Sequence, residues 1–477
     1  MNVSVLAFPE MNEVVGSYRQ SELPVAILST VLRQRLMCRG ILPEMTLGGT
    51  ASDSRKNHAS GRGRAQCARA QHGDAVVPDL LWPDRRMIKR LLAGVVLAML
   101  LPLQGLAQSH SAFPVDIIGG PAPQPVMVDG RIRLVYELHL TNFAPWPIEV
   151  TGIEVLGNGP SPFASYHREA LEKLVVPVEK LLVPVGPTDG ADKVRTIGEG
   201  HAVVIFLDVT VDPGMPPPTE LRHRFSFSIT GKDGAAIEKT VDGPVTAVIQ
   251  EPAPVLRAPL RGSDWVAFNA FSNESHRRSF NPVDGRIRIA ERFAIDWMRL
   301  GPDGCLFHGD SKSNANFYGY GAEVLAVADG RVSDLKDGLP DNAGSTERSD
   351  RVTTLDNIVG NYVILDLGHE HFALYAHLQP SSLRVKLGDK VKAGQVLALV
   401  GNSGNTDARH LHLQLMDANS PLGAEGIPYE FETFMQLGVI DHPELLDTGE
   451  AWRLKDQQMP VLHRQEFLID NAVVNFP

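Results

Sequence analysis

Glycines divide the second half of this chain into short pieces. Between residues 320 and 416, branched and apolar runs are interrupted at Gly330, Gly368, Gly388, Gly394, Gly401 and Gly404. Runs of this length are too short for packed helices, and glycine is the residue that takes positive φ in tight turns. The pieces therefore read as strands: Arg292–Met298, Glu323–Ala328, Tyr362–Leu367, Phe372–His377, Val396–Val400 and Leu411–Met416. Strands this close in sequence pair as antiparallel neighbours, so a β-sheet domain is expected over 261–440. The polar stretch 333–356 reads as a surface insertion between two strands. Residues 441–477 are mixed and read as a C-terminal extension that packs back on the sheet.

Residues 113–250 also carry β signals. Arg131–Leu140, His201–Val211 and Leu221–Ile229 are strand-like, and turn clusters such as Gly157-Asn-Gly-Pro and Pro213-Gly-Met-Pro-Pro-Pro separate them. Short strands with this punctuation suggest an immunoglobulin-like β-sandwich, with one short helix within 166–176. His139 and His223 lie on its strands and read as solvent-facing. Residues 250–260 are Pro-rich and read as a stiff linker. The expected class is all-β: an N-terminal immunoglobulin-like sandwich followed by an antiparallel, Gly-turned sheet core.

The chain upstream is different in kind. Residues 1–86 hold 11 Lys and Arg against eight acids, and Cys38 and Cys67. They show no sustained hydrophobic period. Met87-Ile-Lys-Arg then precedes the apolar run 91–103 and a small-x-small end at Gly105-Leu-Ala107. A basic start, a short apolar core and small residues at the end are the parts of a secretory signal. The alternatives are an internal membrane anchor or a buried helix, for which the run is short against the roughly 20 residues of a span. On the signal reading, 1–86 is an over-extended, disordered gene start, 87–107 is the signal, and the exported chain resides in the periplasm or cell envelope without a stable membrane span. Removing a segment of net +3 and the basic Lys89 and Arg90 from a chain of net −11 leaves −16. Such acidity speaks against a general nucleic-acid partner.

Chemistry gathers in the second domain. His410-Leu-His412 puts two imidazoles on one face of a strand, roughly 7 Å apart at about 3.3 Å per residue. His377 follows in Leu374-Tyr-Ala-His-Leu378, and Asp296 lies in Arg292-Phe-Ala-Ile-Asp-Trp297. Imidazole and carboxylate are the usual ligands of catalytic Zn2+, which acidifies bound water and polarises a carbonyl. The single cysteine beyond the signal, Cys305, disfavours a thiolate zinc site and reads as an incidental free thiol. His369 and His371 flank a hairpin turn and read as solvated.

These residues, with Gly321-Ala-Glu-Val-Leu-Ala-Val-Ala-Asp-Gly330, Val385-Lys-Leu-Gly-Asp-Lys-Val-Lys-Ala-Gly-Gln395 and Val400-Gly-Asn-Ser-Gly404, resemble the LytM/lysostaphin-type M23 family of zinc endopeptidases over about 150 residues. The resemblance implies an M23-type sheet core and hydrolysis of peptide bonds in peptidoglycan. It implies Asp296 and His412 as metal ligands, and His377 and His410 as the catalytic imidazoles. One position departs from the family pattern: four residues before Asp296 stands Arg292, where the family has a ligand histidine. A guanidinium has no lone pair to offer zinc. His276 or His308 could fill the gap, and His276 is preferred because it lies in a segment just before the ligand strand. Otherwise Arg292 would place a positive charge where the metal sits. Two functional classes stay open. One is an exported zinc metallopeptidase acting on peptidoglycan peptides. The other is a degenerate LytM-like binding protein that activates other wall hydrolases. In either, envelope protein partners are expected to engage the N-terminal domain. The glycine frame also occurs in biotinyl and lipoyl carriers, but no exposed lysine hairpin of the carrier kind is present.

Overall fold

A computed structural model describes residues 112–477 apart from 160, 179–180, 182–194, 273, 343–353, 355, 407 and 455–458, and without the side chain of Ser275. The expected gene start (1–86) and signal (87–107) lie outside the described residues, as does half of the polar insertion, whose first residues instead belong to the strand Gly330–Lys336. The described residues are nearly all-β, with helix reduced to short pieces such as Glu169–Glu172.

The N-terminal region is two antiparallel sheets around one core. The first runs Val115–Gly119, Arg131–Asn142, Ala202–Thr210, Val175–Pro177; the second runs Ala236–Asp242, Glu220–Thr230, Ile148–Leu156, Pro162–His167. Leu134, Leu138, Ile205 and Leu207 from the first sheet meet Val150, Ile153, Phe225 and Phe227 from the second. The alternation in Glu220–Thr230 is strict, with Leu221, His223, Phe225 and Phe227 buried and Arg222 and Arg224 exposed. His223 is thus a core residue, not the solvent-facing one its polarity suggested. It is tolerated because both nitrogens are satisfied: Nδ1 lies 2.7 Å from the Pro244 carbonyl and Nε2 lies 2.8 Å from the Tyr136 hydroxyl. Burial lowers its pKa, so it stays neutral.

The first sheet is covered on both faces. One face holds its own core, and the other packs on the second region. Val204 and Phe206 join Phe280 and Ile289, and Val135 joins the core of the second region. This explains the continuous apolar run 202–207 in the strand Ala202–Thr210, which a half-exposed strand would not need. His139 is likewise half-buried against Phe280, rather than solvent-facing. Main-chain bonds cross the same boundary: Phe467 N–H donates to Met127 O (2.7 Å), and Met127 N–H to Glu430 Oε1 (2.9 Å).

The second region is a ten-stranded antiparallel sheet in the order Lys390–Val391, Gly330–Lys336, Asn361–Gly368, His371–Leu378, Leu411–Met416, Ile295–Arg299, Gly262–Phe268, Ala472–Phe476, Phe434–Val439, Val461–His463. His369 and Glu370, both at positive φ, make the two-residue turn of its central hairpin. Residues 250–260 are part of this fold. Ala253, Leu256 and Leu260 are buried in its core, and Val255–Leu256 pairs with Glu430–Phe431. The strand expected from Arg292 starts only at Ile295, because Phe293 adopts φ 64° and turns the chain first.

That turn sends Arg292 to the boundary between the regions. Its Nη2 lies 2.7 Å from Glu137 Oε2 and its Nη1 lies 3.3 Å from Glu425 Oε2. Arg277 Nε lies 2.8 Å from Glu137 Oε1, and its Nη2 donates to the carbonyls of Tyr136 (2.8 Å) and Leu207 (2.7 Å). Glu137 is only 1% exposed. Burial pushes its pKa up, but Arg292 and Arg277 outweigh that and bring it from 4.5 down to about 2. A depressed carboxylate stabilises the fold fully above its unfolded pKa and loses that contribution as pH falls through the folded one. Unfolding free energy should therefore show an acid limb between about pH 4.5 and 2, worth about 3 kcal/mol for a shift of this size. Glu137→Gln should flatten that limb in denaturant titrations run at stepped pH; an unchanged limb would assign it to other carboxylates.

Candidate metal centre

The centre is written on three neighbouring strands. Leu411–Met416 is buried along its whole length and alternates two faces. Leu411, Leu413 and Leu415 enter the core, while His410, just before the strand, His412 and Gln414 share the other face. On the adjoining strand Ile295 and Trp297 are core residues and Asp296 faces away from it. The register pairs Asp296 directly with His412 on one side and Ala376 with His412 on the other. His377 follows Ala376 at φ 59°, a left-handed backbone that costs a non-glycine residue energy and breaks the hairpin's alternation.

Asp296 is the hub. His412 Nδ1 lies 2.9 Å and His410 Nε2 lies 3.2 Å from its Oδ1. His276, on the one-turn 3-10 helix Ser275–Arg278, brings Nε2 to 3.2 Å from Oδ2. Asn269 Nδ2 donates to the same oxygen at 2.9 Å. His377 stands beside these residues, its ring centroid 4.8 Å from that of His410 and 5.9 Å from that of His412. All five residues singled out in the sequence are therefore brought together.

The outward hydrogen bonds decide what the imidazoles present inward. His377 Nδ1 lies 2.8 Å from Ser403 O, His410 Nδ1 3.1 Å from Ala408 O, and His276 Nδ1 3.3 Å from Ala294 O. Carbonyls only accept, so each of these nitrogens carries its proton there, and Nε2 is left facing in. His412 is the mirror case: Nε2 lies 2.7 Å from Gln414 Oε1, and Nδ1 is the nitrogen that faces Asp296. Gln414 is itself fixed by donating to Pro421 O at 3.2 Å.

The charges follow from this packing. Burial favours a neutral Asp296, yet His276 and His410 hold it well below the usual carboxylate range. Burial alone would depress His276, but Asp296 raises it to about 9. His410 is raised against burial by the same carboxylate. His377 runs the other way: burial, then the neighbouring His410 and His412, hold it well below its ordinary value, so it is the neutral base of the group.

Two overlapping trios, His276–Asp296–His412 and His377–His410–His412, offer donor atoms within 4.8 Å of one another. One carboxylate and inward imidazole nitrogens, oriented by outward hydrogen bonds and deprotonated as a metal binds, form a donor set suited to Zn2+. The other candidates lie elsewhere. His308 is exposed against the Tyr318 ring. Arg292 is committed to Glu137 and Glu425, so it does not put its charge at Asp296. Cys305 hydrogen-bonds Gly449 O. Sequence reading missed Gln414 and Asn269. The first was signalled by the two-residue spacing His410, His412, Gln414; the second carried no local signal.

Residues 315–423 match the model of peptidase family M23. The matched segment contains His377, His410 and His412, while Asp296 and His276 lie upstream of it. The chain is 40% identical over 65 residues to the peptidoglycan DD-endopeptidase ShyA of Vibrio cholerae serotype O1, 14% of this chain and 15% of that protein. It is 32% identical over 100 residues to the glycyl-glycine endopeptidase ALE-1 of Staphylococcus capitis, 21% of this chain and 23% of that protein. The matches thus span less than a quarter of these relatives. Among solved structures, the catalytic domain of the M23 protein EnpA from Enterococcus faecalis aligns with 37% of this chain and 92% of its own, at 20% identity and a TM-score of 0.21.

Removing the acceptor for His412 should loosen any metal held here. Gln414→Leu is expected to weaken zinc affinity about 10–100-fold in competition with a chelator, as loss of such outer partners does. Wild-type affinity in that variant would mean that the His412 tautomer is fixed by something else.

Proposed function

We propose that this chain is an exported zinc endopeptidase that hydrolyses peptide bonds in peptidoglycan, in the periplasm or cell envelope. The observation that carries the reading is the seating of His276 Nε2 at 3.2 Å from Asp296, which offers a third ligand beside His412 although Arg292 stands where the family has histidine. That contact removes the reason for preferring a degenerate binding protein. The endopeptidase names of the matched relatives support the substrate class.

On this reading His276, Asp296 and His412 hold the metal. Zinc would supply Lewis-acid polarisation of the scissile carbonyl and acidify a water molecule. The protein's own groups do the rest. Gln414 and the Ala294 carbonyl keep His412 and His276 in the tautomers that face inward. Asn269 donates to Asp296 Oδ2 and fixes the carboxylate plane. His377, neutral and with Nε2 free of its Ser403 bond, accepts the proton of the attacking water and returns it to the leaving amine. His410 in its protonated form donates from Nε2 to the carbonyl oxygen as charge develops there.

The purified chain should carry one zinc and digest purified peptidoglycan, and a chelator should stop digestion. His412→Ala is expected to lose both zinc and digestion. His377→Ala is expected to keep zinc and lose about 10²–10⁴-fold in rate, the usual share of a general base. Digestion that continues in chelator would sink the zinc mechanism.

A further inference from the structure

The structure points to a contribution to this centre from outside the peptidase segment. We propose that Glu137, on the N-terminal sandwich, is a positioning residue for the metal centre. By holding Arg277 it fixes the neighbouring His276 against Asp296, and by holding Arg292 it draws the side chain four before Asp296 out of the centre. This inference rests on the metal reading above.

The geometry is direct. His276 and Arg277 are consecutive on the single 3-10 turn Ser275–Arg278. Side chains one residue apart on so tight a turn point in different directions. His276 reaches Asp296 (3.2 Å) and Arg277 reaches Glu137 (2.8 Å). A four-residue turn has little rigidity of its own. No side-chain cap holds its N-terminus, and its first residues follow an exposed Glu274. Its buried anchor is Arg277, whose guanidinium bonds Glu137 and the carbonyls of Tyr136 and Leu207, which lie opposite each other in the sandwich, while Arg278 adds a more exposed bond to Lys173 O. The turn is thus plugged into the sandwich sheet at three acceptors.

The same carboxylate settles Arg292. Glu137 gives Oε1 to Arg277 and Oε2 to Arg292 at 2.7 Å, and Glu425 completes the set from the other side. Glu137, Arg277 and Arg292 are nearly solvent-free, and Glu425 is shared with the partly exposed Arg288. Leaving Arg277 or Arg292 without its partner would strand a buried charge. With Glu137 neutral, the turn bearing His276 and the side chain at 292 lose their one shared charged partner, and Arg277 is left with carbonyl acceptors only. The sandwich is therefore part of the metal centre although it supplies no ligand.

The test uses the full chain carrying Glu137→Gln, which keeps the shape and removes the charge. Two readouts are taken: zinc affinity by chelator competition, and in the metal-free chain the NOE between the His276 and His412 rings, whose centroids lie 4.9 Å apart. Glu137→Gln should lose that NOE and weaken zinc about tenfold or more, the range seen when outer partners of a ligand are removed. Glu430→Gln, which makes the same removal of a carboxylate charge at a different contact between the regions, the acceptor of Met127 N–H, should leave both readouts at wild-type values. An intact NOE with unchanged zinc affinity in Glu137→Gln overturns the proposal, and so does an equal loss in Glu430→Gln, which would indicate general loosening. If the wild-type chain binds no zinc, the metal reading falls, and the NOE alone decides whether Glu137 positions His276. Should Glu137→Gln not fold, Arg277→Lys keeps the charge but cannot span the three acceptors. It should shift both readouts the same way, and wild-type values there overturn the proposal.

Discussion

The pairing of Asp296 with His412 across two antiparallel strands is the contact on which the site depends. Register is all or nothing in such a sheet: a slip of one residue would turn His410, His412 and Gln414 into the core and Leu411, Leu413 and Leu415 out of it. The leucine face makes that slip prohibitive, because it would bury three polar side chains among Ile295, Trp297 and Tyr375. Hydrophobic burial on one face therefore holds the chemistry on the other. The remaining members are added by local exceptions to strand geometry: a left-handed backbone at His377 and a single turn at His276.

Two clusters of buried charge adjoin each other among the described residues. At Asp296 one carboxylate faces several imidazoles, an arrangement that leaves donor atoms available. At Glu137 and Glu425 two carboxylates face arginines and every charge is answered, which suits a joint between regions. Arg288, at 3.2 Å from Glu425, extends that second cluster towards the surface. The two clusters share a short stretch of chain, since His276 adjoins Arg277 and Asp296 lies four residues after Arg292. Arginine suits the joint because its planar fork can bond two or three acceptors at once.

Much of this was legible in the sequence, and the failures have physical causes. Glycine spacing gave six strands of the second region to within a few residues, but not Gly262–Phe268, Gly330–Lys336, Phe434–Val439 or Ala472–Phe476. His410 and His412 were visible as a strand pair, and Asp296 and His377 through the family resemblance. The destination of Arg292 was not visible, because it depends on the positive φ at Phe293 and on a carboxylate 155 positions away. His223 was misread by polarity, although its place in the Leu221, Phe225, Phe227 alternation had marked it as inward. Residues 250–260 looked like a linker because prolines dominate them, whereas Leu256 and Leu260 are anchored in the core. Asn269 could not have been found, since it meets Asp296 only after Gly262–Phe268 and Ile295–Arg299 pair.

The strand Ala472–Phe476 lies inside the large sheet, between Gly262–Phe268 and Phe434–Val439. Asp264 and Asn475 bond across a separation of 211 residues. Contacts this distant in sequence must close a very long loop before they return any stability, so they form late and slowly. Gly262–Phe268 is also the strand on which Ile295–Arg299 rests. The strand that supports Asp296's own strand is therefore flanked on its other side by residues some two hundred positions downstream, so the floor of the centre is complete only when Ala472–Phe476 is in place.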